Sequence, residues 1–427
     1  MAPKPKSTQT ASAETPQQAE DKKSLPETKL TGVNAKNTKS VLVSAVLEVT
    51  GQVRFGDGTD VGLTVTETDM VISPDGSQVH KLIWAGSKRR GVDRRTIHEL
   101  RDQYWNHTKC YIPKWCGECP VCWLYGFTGT TQQKEINAKS RVLYATSVSV
   151  EEVQKGLNVH SRNQVDEKAQ TTAGAAGIHE EQIIVAGVHF PTYTALIHVI
   201  DWEIGAFAHA LLENVNSNRY TAASRGQGGM KFAVQGDKPL IVVDESQYGI
   251  FPLAVPKIAG WETDWQQAQK VFQAAMNAQE LKSALEAQGF TVKIDQVDNA
   301  SEPKHLSASP TPTGSAPKEQ VVNTSESNTA KQPSQPTNQL SLKESTGMIT
   351  VEQNGQVVMT RYVGKRALGY LREKQLAAKQ QFGSLDASEF MTEIQNYIAA
   401  ISPKQRAGTA SGGESEGTEG GDEGENE

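Results

Sequence analysis

Aromatic residues make up only 6% of this 427-residue chain, and cysteine occurs just four times. So small an aromatic share, beside 36 Gly and 18 Pro, argues against one core running the whole length. No apolar run approaches the roughly 20 residues of a membrane-spanning helix. No apolar secretory segment follows Met1. The chain is therefore expected to be soluble and cytoplasmic, with no membrane partner. A G-x-S-x-G elbow is missing, which removes support for a Ser/His/Asp hydrolase. Neither a P-loop nor a G-x-G-x-x-G fingerprint occurs, so a nucleotide cofactor is unsupported. No segment repeats at a fixed period.

Three stretches have the composition of unfolded chain. Residues 1–35 are rich in Lys, Thr, Gln, Pro and Ala, and residues 299–346 in Ser, Thr, Pro, Gln and Asn. Residues 404–427 form an acidic tail, with seven Asp/Glu and no basic residue from 408 onward. These limits leave a folded core over 36–298 and an accessory α/β module over 347–403. The net charge of −6 is carried by the tail; without those seven charges the rest is close to neutral, at +1. Residues 80–114 hold nine Lys/Arg against three Asp/Glu. A basic patch on a neutral body suits a polyanion partner, and a solvated charged face is the plainer alternative.

All four cysteines, Cys110, Cys116, Cys119 and Cys122, lie within 13 residues. Four close thiols can become four thiolates around one tetrahedral zinc, with no position left for water or substrate. Such a zinc would be structural, a staple for a projecting loop. His107 could replace any one thiol, and two disulfides are the alternative in an oxidising compartment. A nucleobase deaminase would need H-x-E before P-C-x-x-C. Here His179-Glu180-Glu181 follows the cysteines, and Cys119-Pro120-Val121-Cys122 has no proline before it, so that chemistry is excluded.

Residues 41–49 read as a buried strand, and 52–72 continue with β-type alternation. From 80 to 140 the pattern is irregular, which a metal-stapled insertion would explain. Arg141–Val150 reads as one strand, 155–187 as a polar excursion, and 189–202 as another strand. Helical spacing follows over 204–212 and again over 264–288. Asn354-Gly355 marks a type I′ hairpin turn within 349–359. Helices are expected near 365–381 and 386–401, the second opening on a capping box from Asp386 to Glu389. Together these give an α+β fold, an antiparallel sheet with few helices, compatible with an RNA-recognition motif.

The segment Arg219-Tyr220-Thr-Ala-Ala-Ser-Arg225-Gly-Gln227-Gly-Gly-Met230-Lys231 is glycine-rich and basic. Glycine admits close approach of a phosphate or base, while Arg, Lys and Tyr add ionic and stacking contacts. An ordinary turn is the alternative. His160-Ser-Arg162-Asn-Gln can donate to phosphates, although a polar surface loop reads the same way.

Taken in order, CGECPVCWLYGFTG, HSRNQVDEKAQTTAG and RYTAASRGQGGMKF resemble the backbone subunit of CRISPR Cascade effector complexes, of the RAMP superfamily, and most closely the type I-D version. The resemblance covers about residues 36–300. It implies a modified RNA-recognition palm, a fingers insertion at 80–140 and a thumb hairpin at 155–187. Copies would stack head to tail along a CRISPR RNA, beside other Cascade subunits, leaving guide bases free to pair with target DNA. The subunit would bind without cutting. Arg89, Arg90, Arg94 and Arg95 would meet guide or target backbone. His160 and Arg162 would sit at the thumb base, and Arg219, Tyr220, Arg225, Gln227, Met230 and Lys231 would line the palm loop. Two other classes fit the composition: a zinc-stabilised nuclease using His160 or His189 as base, and a free-standing single-strand-binding protein.

Overall fold

The computed structural model describes residues 38–55, 63–105, 110–111, 114–116, 119–128, 137–163, 165–166, 168, 171–172, 178–221, 228–247, 258–295 and 339–384. In chain order, β1 (Lys39–Val49), β2 (Leu63–Thr64), β3 (Thr68–Ile72) and β4 (Gln78–Trp84) lead into helix α1 (Gly86–Trp105). Helix α2 (Pro120–Tyr125), β5 (Phe127–Thr128), β6 (Asn137–Ala138), β7 (Val142–Tyr144), β8 (Ser147–Glu152) and the short α3 (Val153–Gly156) follow. Next come β9 (Leu157–Asn163), β10 (Val165–Asp166), β11 (Thr171–Thr172), β12 (Ile178–Ile184), β13 (His189–Val199) and α4 (Asp201–Asn216). Strands β14 (Met230–Phe232), β15 (Val234–Gln235), β16 (Lys238–Pro239) and β17 (Ile241–Ser246) precede α5 (Trp265–Ala274) and α6 (Ala278–Ala287). The chain closes on β18 (Thr291–Asp295), β19 (Gln339–Ser345), β20 (Met348–Gln353), β21 (Gln356–Val363) and α7 (Lys365–Ser384).

The fold is mixed α+β, built on one large sheet ordered β18-β19-β20-β21-β17-β1-β13-β7, with β14 also paired to β1. In its middle, β17, β1, β13 and β7 are antiparallel neighbours. Followed along the chain, β1, β7, β13 and β17 have α1 after the first and α4 after the third, a β-α-β-β-α-β path whose fourth strand lies beside its first.

Strand β1 is buried along both faces because β-branched and aliphatic residues fill almost every position. Val43, Ala45 and Leu47 face the α1/α4 side, with Phe207 and Leu211 of α4. Val46 faces the other way, where Leu240, Val242 and Phe272 of α5 close over it. Each Val, Leu or Phe side chain among these contributes about 1.5–3 kcal/mol on leaving water. A second cluster packs Leu281 and Leu285 of α6 on Val292, Leu342, Val351 and Met359.

Several expectations change. The stretch 80–140 is not irregular at its start: β4 and the 20-residue α1 occupy it. Arg141–Val150 is two strands, β7 and β8, in different sheets, because Ala145 and Thr146 turn the chain between them. The helix expected over 264–288 breaks into α5 and α6, where Asn277 caps the second helix by accepting from Gln279 N at 3.0 Å. The excursion over 155–187 contains a long antiparallel hairpin in which β9 pairs with β12. Asn354 and Gly355 both have positive φ, 53° and 76°, as a I′ turn requires.

Residues 339–345, read as linker, form β19, and β21 pairs with β17, so these strands continue the central sheet. A buried ion pair locks that junction: Arg361 Nε and Nη2 donate to the two oxygens of Asp244, both at 2.7 Å. Helix α7 returns across α4, and Gly205 marks the crossing, since a Cβ there would strike the Lys374 carbonyl oxygen and Ala378. The expected helix over 386–401 and the tail lie outside the described residues.

Two outcomes test this account. Asp244→Ala should strand a buried guanidinium and cost about 3–5 kcal/mol in urea unfolding. Gly205→Val should force α4 and α7 apart at a cost of about 1–3 kcal/mol; a change within about 0.5 kcal/mol would show that the helices do not meet there.

Candidate metal centre and nucleic-acid surface

Helix α1 organises the site. It carries charged residues at helical spacing, yet many are inside: Arg89, Asp93, Arg94 and Arg101 are buried, along with Thr96, Ile97 and Leu100. Burying a charge is costly unless it is paired and hydrogen-bonded. The helix therefore holds two polar clusters, one toward α4 and the sheet, the other toward the cysteines.

The first cluster centres on Asp93, only 1% exposed. Its carboxylate accepts from Tyr220 Oη at 2.6 Å, Tyr144 Oη at 2.6 Å and Asn214 Nδ2 at 2.8 Å. Thr96 Oγ1 donates to Asn214 Oδ1 at 2.6 Å. Burial pushes the Asp93 carboxyl up, while these three hydrogen bonds and the nearby Arg89 oppose the shift. Burial likewise drives the Tyr144 and Tyr220 phenols well above their ordinary range, so both stay protonated and donate. Arg89 completes the cluster: it donates to the Ala145 carbonyl and lies 5.3 Å from the Trp84 ring and 5.5 Å from the Tyr144 ring.

This cluster anchors the glycine-rich segment at its start. Tyr220 is tied to Asp93 and packs edge-on against Trp84, with centroids 5.3 Å apart. Arg219 pairs with Glu99, also on α1. At the far end Gly229 O accepts from Thr50 N at 2.9 Å, and a Cβ on Gly229 would collide with Asn218 and Thr50. Met230 is buried opposite Val49, while Lys231 is exposed and pairs with Glu48 at 3.2 Å.

The cysteines form the second cluster. Their four sulfurs lie within 4.8 Å of one another. Cys110 to Cys122 is 3.3 Å, Cys110 to Cys119 3.6 Å and Cys116 to Cys122 3.9 Å. A tetrahedral zinc with bonds of about 2.3 Å separates its sulfurs by about 3.8 Å, so the set fits a four-thiolate metal. Cys119 N donates to Cys116 Sγ at 3.2 Å. Without a cation the four thiols compete: hydrogen bonding to Cys110, then to Cys116, holds Cys119 and Cys122 far above the ordinary thiol range. A divalent ion would displace those protons. No disulfide joins any two of the four cysteines, so the disulfide alternative is not formed in this structure.

The sequence-derived set thus divides. Arg89, Arg94, Tyr220 and Met230 are buried parts of the fold, and half-buried Arg90 donates to the Tyr125 carbonyl. They support the surface from beneath. Arg95, Arg219 and Lys231 are exposed. His160 is half-buried on β9, opposite Glu181 and 3.4 Å from Asn158 Nδ2; Arg162 stands on the same strand opposite His179. Arg225, Gln227 and His107 lie outside the described residues. His189, the alternative general base, is packed away: Nδ1 meets Glu151 at 2.8 Å, and the ring stacks 3.6 Å from Trp265. Sequence reasoning missed Asp93, Asn214 and Arg101. The signal was the four-residue step from Arg89 to Asp93 and on to Ile97 and Arg101, a helical stripe disguised by its charge.

Replacing Asp93 by Leu should remove the shared acceptor of three buried donors. The expected loss is about 3–5 kcal/mol by chemical denaturation, and an Asp93→Leu variant within about 1 kcal/mol of wild type would refute the cluster's role.

No curated protein matches the chain. Among solved structures, Csc2 of Thermofilum pendens matches at 14% identity and a TM-score of 0.37, covering 58% of this chain and 81% of that one. A type IV-B CRISPR complex matches at 13% identity and a TM-score of 0.33, covering 46% of this chain and 91% of that one. A Csm3-Csm4 subcomplex of the type III-A CRISPR-Cas interference complex matches at 15% identity and a TM-score of 0.27, covering 49% and 80%. Among the described residues no helix is long and apolar enough to cross a membrane. The family model for Csc2 Crispr matches residues 60–298, a stretch that takes in α1, all four cysteines, the β9/β12 hairpin and the glycine-rich segment, and with more than half its length matched the chain belongs to that family.

Proposed function

We propose that this protein is a non-catalytic backbone subunit of a type I-D-like Cascade complex that binds CRISPR RNA. The family match supports a role in CRISPR effector complexes. The observation that carries the finer reading is the glycine-rich segment: both its ends are pinned to the sheet and α1, while Arg219 and Lys231 stand outside. A fixed, glycine-lined, basic edge can grip a sugar-phosphate chain without reading its letters, as one scaffold must for any spacer.

In this reading the β17-β1-β13-β7 sheet is an RNA-recognition palm, the region about the cysteines the fingers, and the β9/β12 hairpin the thumb. Arg95, His160, Arg162, Arg219, Arg225, Gln227 and Lys231 form the RNA-facing set. Arg89, Arg90, Arg94, Tyr220 and Met230 hold that set in place. Cys110, Cys116, Cys119 and Cys122 hold a structural zinc, which supplies a rigid cross-link and no reactive position. Further copies bind head to tail along the guide, other Cascade subunits complete the assembly, and target DNA pairs with the exposed guide bases.

Two measurements test this. Protein produced with its genomic neighbours should carry small RNA of uniform length, held less tightly as salt rises, and Arg219→Glu with Arg225→Glu should cut RNA per protein at least roughly tenfold. Retention of full-length guide by that double variant would remove the loop from the RNA surface. Elemental analysis should find about one zinc per chain, and less than about half an equivalent would overturn the staple. Cleavage of a labelled CRISPR transcript by the purified protein would favour the nuclease instead.

A further inference from the structure

Two buried arginines lie on the cysteine side of α1. Arg101 is 1% exposed and Arg94 8%. A buried guanidinium without a counter-charge costs several kcal/mol, so each must be answered by something. Arg101 donates Nε and Nη2 to Asp102 Oδ1, at 2.8 and 2.5 Å, and turns Nη1 to Cys119 Sγ at 3.3 Å. Among the described residues no carboxylate pairs with Arg94. Its Cζ lies 3.6 Å from the ring centroid of Trp115, the neighbour of Cys116, and its Nε and Nη2 find no hydrogen-bond partner among the described residues. Burial pushes the Arg94 guanidinium down, and the groups that act on it are the Cys122, Cys110 and Cys119 thiols and the Arg90 cation.

Neutral thiols would leave this arrangement unbalanced. Four thiolates around a divalent ion form a dianion, which would answer the buried Arg94 charge, while Arg101, already paired with Asp102, supplies an N–H donor to a sulfur. We infer that Arg94 and Arg101 support a dianionic metal tetrathiolate, with Arg101 as the positioning residue that donates to the Cys119 sulfur and Arg94 as the buried counter-charge, stacked on Trp115 beside Cys116. This inference rests on the metal reading above.

The test uses the full chain. Zinc affinity is measured by competition with a chromogenic chelator for wild type, Arg94→Met, Arg101→Met and the double variant. Loss of an outer-shell partner typically weakens metal binding about 10- to 100-fold, which is the drop expected for each single change, with a larger one for the pair. Arg101→Lys should recover part of the loss. Cobalt substitution gives a readout that packing alone does not move. Removing the N–H···S bond should shift the sulfur-to-cobalt charge-transfer band of Arg101→Met to longer wavelength. Where the Met variant does not fold, Arg101→Gln keeps donors without charge and carries the same comparison. Wild type that holds zinc, beside variants that bind it within about twofold and leave the cobalt band in place, would overturn the counter-charge role alone. Wild type that takes up no metal would bring down the metal reading and this inference together.

Discussion

A buried carboxylate acting as a common acceptor is the constraint on which the site depends. Asp93 gathers hydroxyls from a strand and a loop and an amide from a helix. Three elements distant in sequence are fixed by one group that could not be left alone in the interior. The glycine-rich segment is anchored at its start by Tyr220 through this acceptor. The neighbouring Arg89 then needs no solvent, because the same cluster and two aromatic faces receive it.

The local charge of residues 80–114 consequently has a different meaning from the one its count suggests. A run of cations on a surface creates an attractive field. Here Lys81, Arg89, Arg94 and Arg101 are inside, consumed by carbonyls, rings, a carboxylate and sulfur. Within this segment the field that reaches solvent comes from fewer residues, such as Arg95 and Lys114. Folding thus sorts one basic segment into internal cross-links and an external contact set.

What could be read from residue order follows the same division. Strand β1, strand β13, helix α4 and the Asn354-Gly355 hairpin were legible because apolar periodicity and turn chemistry act locally. The cysteine cluster was legible because thiols so close in sequence are close in space. Helix α1 was hidden, since its buried stripe is polar and its stabilising partners, Tyr144, Asn214 and Tyr220, lie far along the chain. The split of Arg141–Val150 into two sheets was equally non-local, as was the joining of β21 to β17 by the Arg361–Asp244 pair. Composition spoke for residues 299–346 as a whole and missed β19 at their end, where alternation over a few residues is a weak signal.

The family match begins at residue 60, whereas β1 ends at Val49 and β21 starts at Gln356. The keystone strand and the strand that covers β17 both stand outside the recognisable span. A fragment trimmed to the borders of kinship would be cut through its own middle: β13 and β17 would face an empty slot, and their inward side chains would meet water. For this architecture, ancestry and foldability draw different boundaries, and any dissection of the molecule has to respect the second.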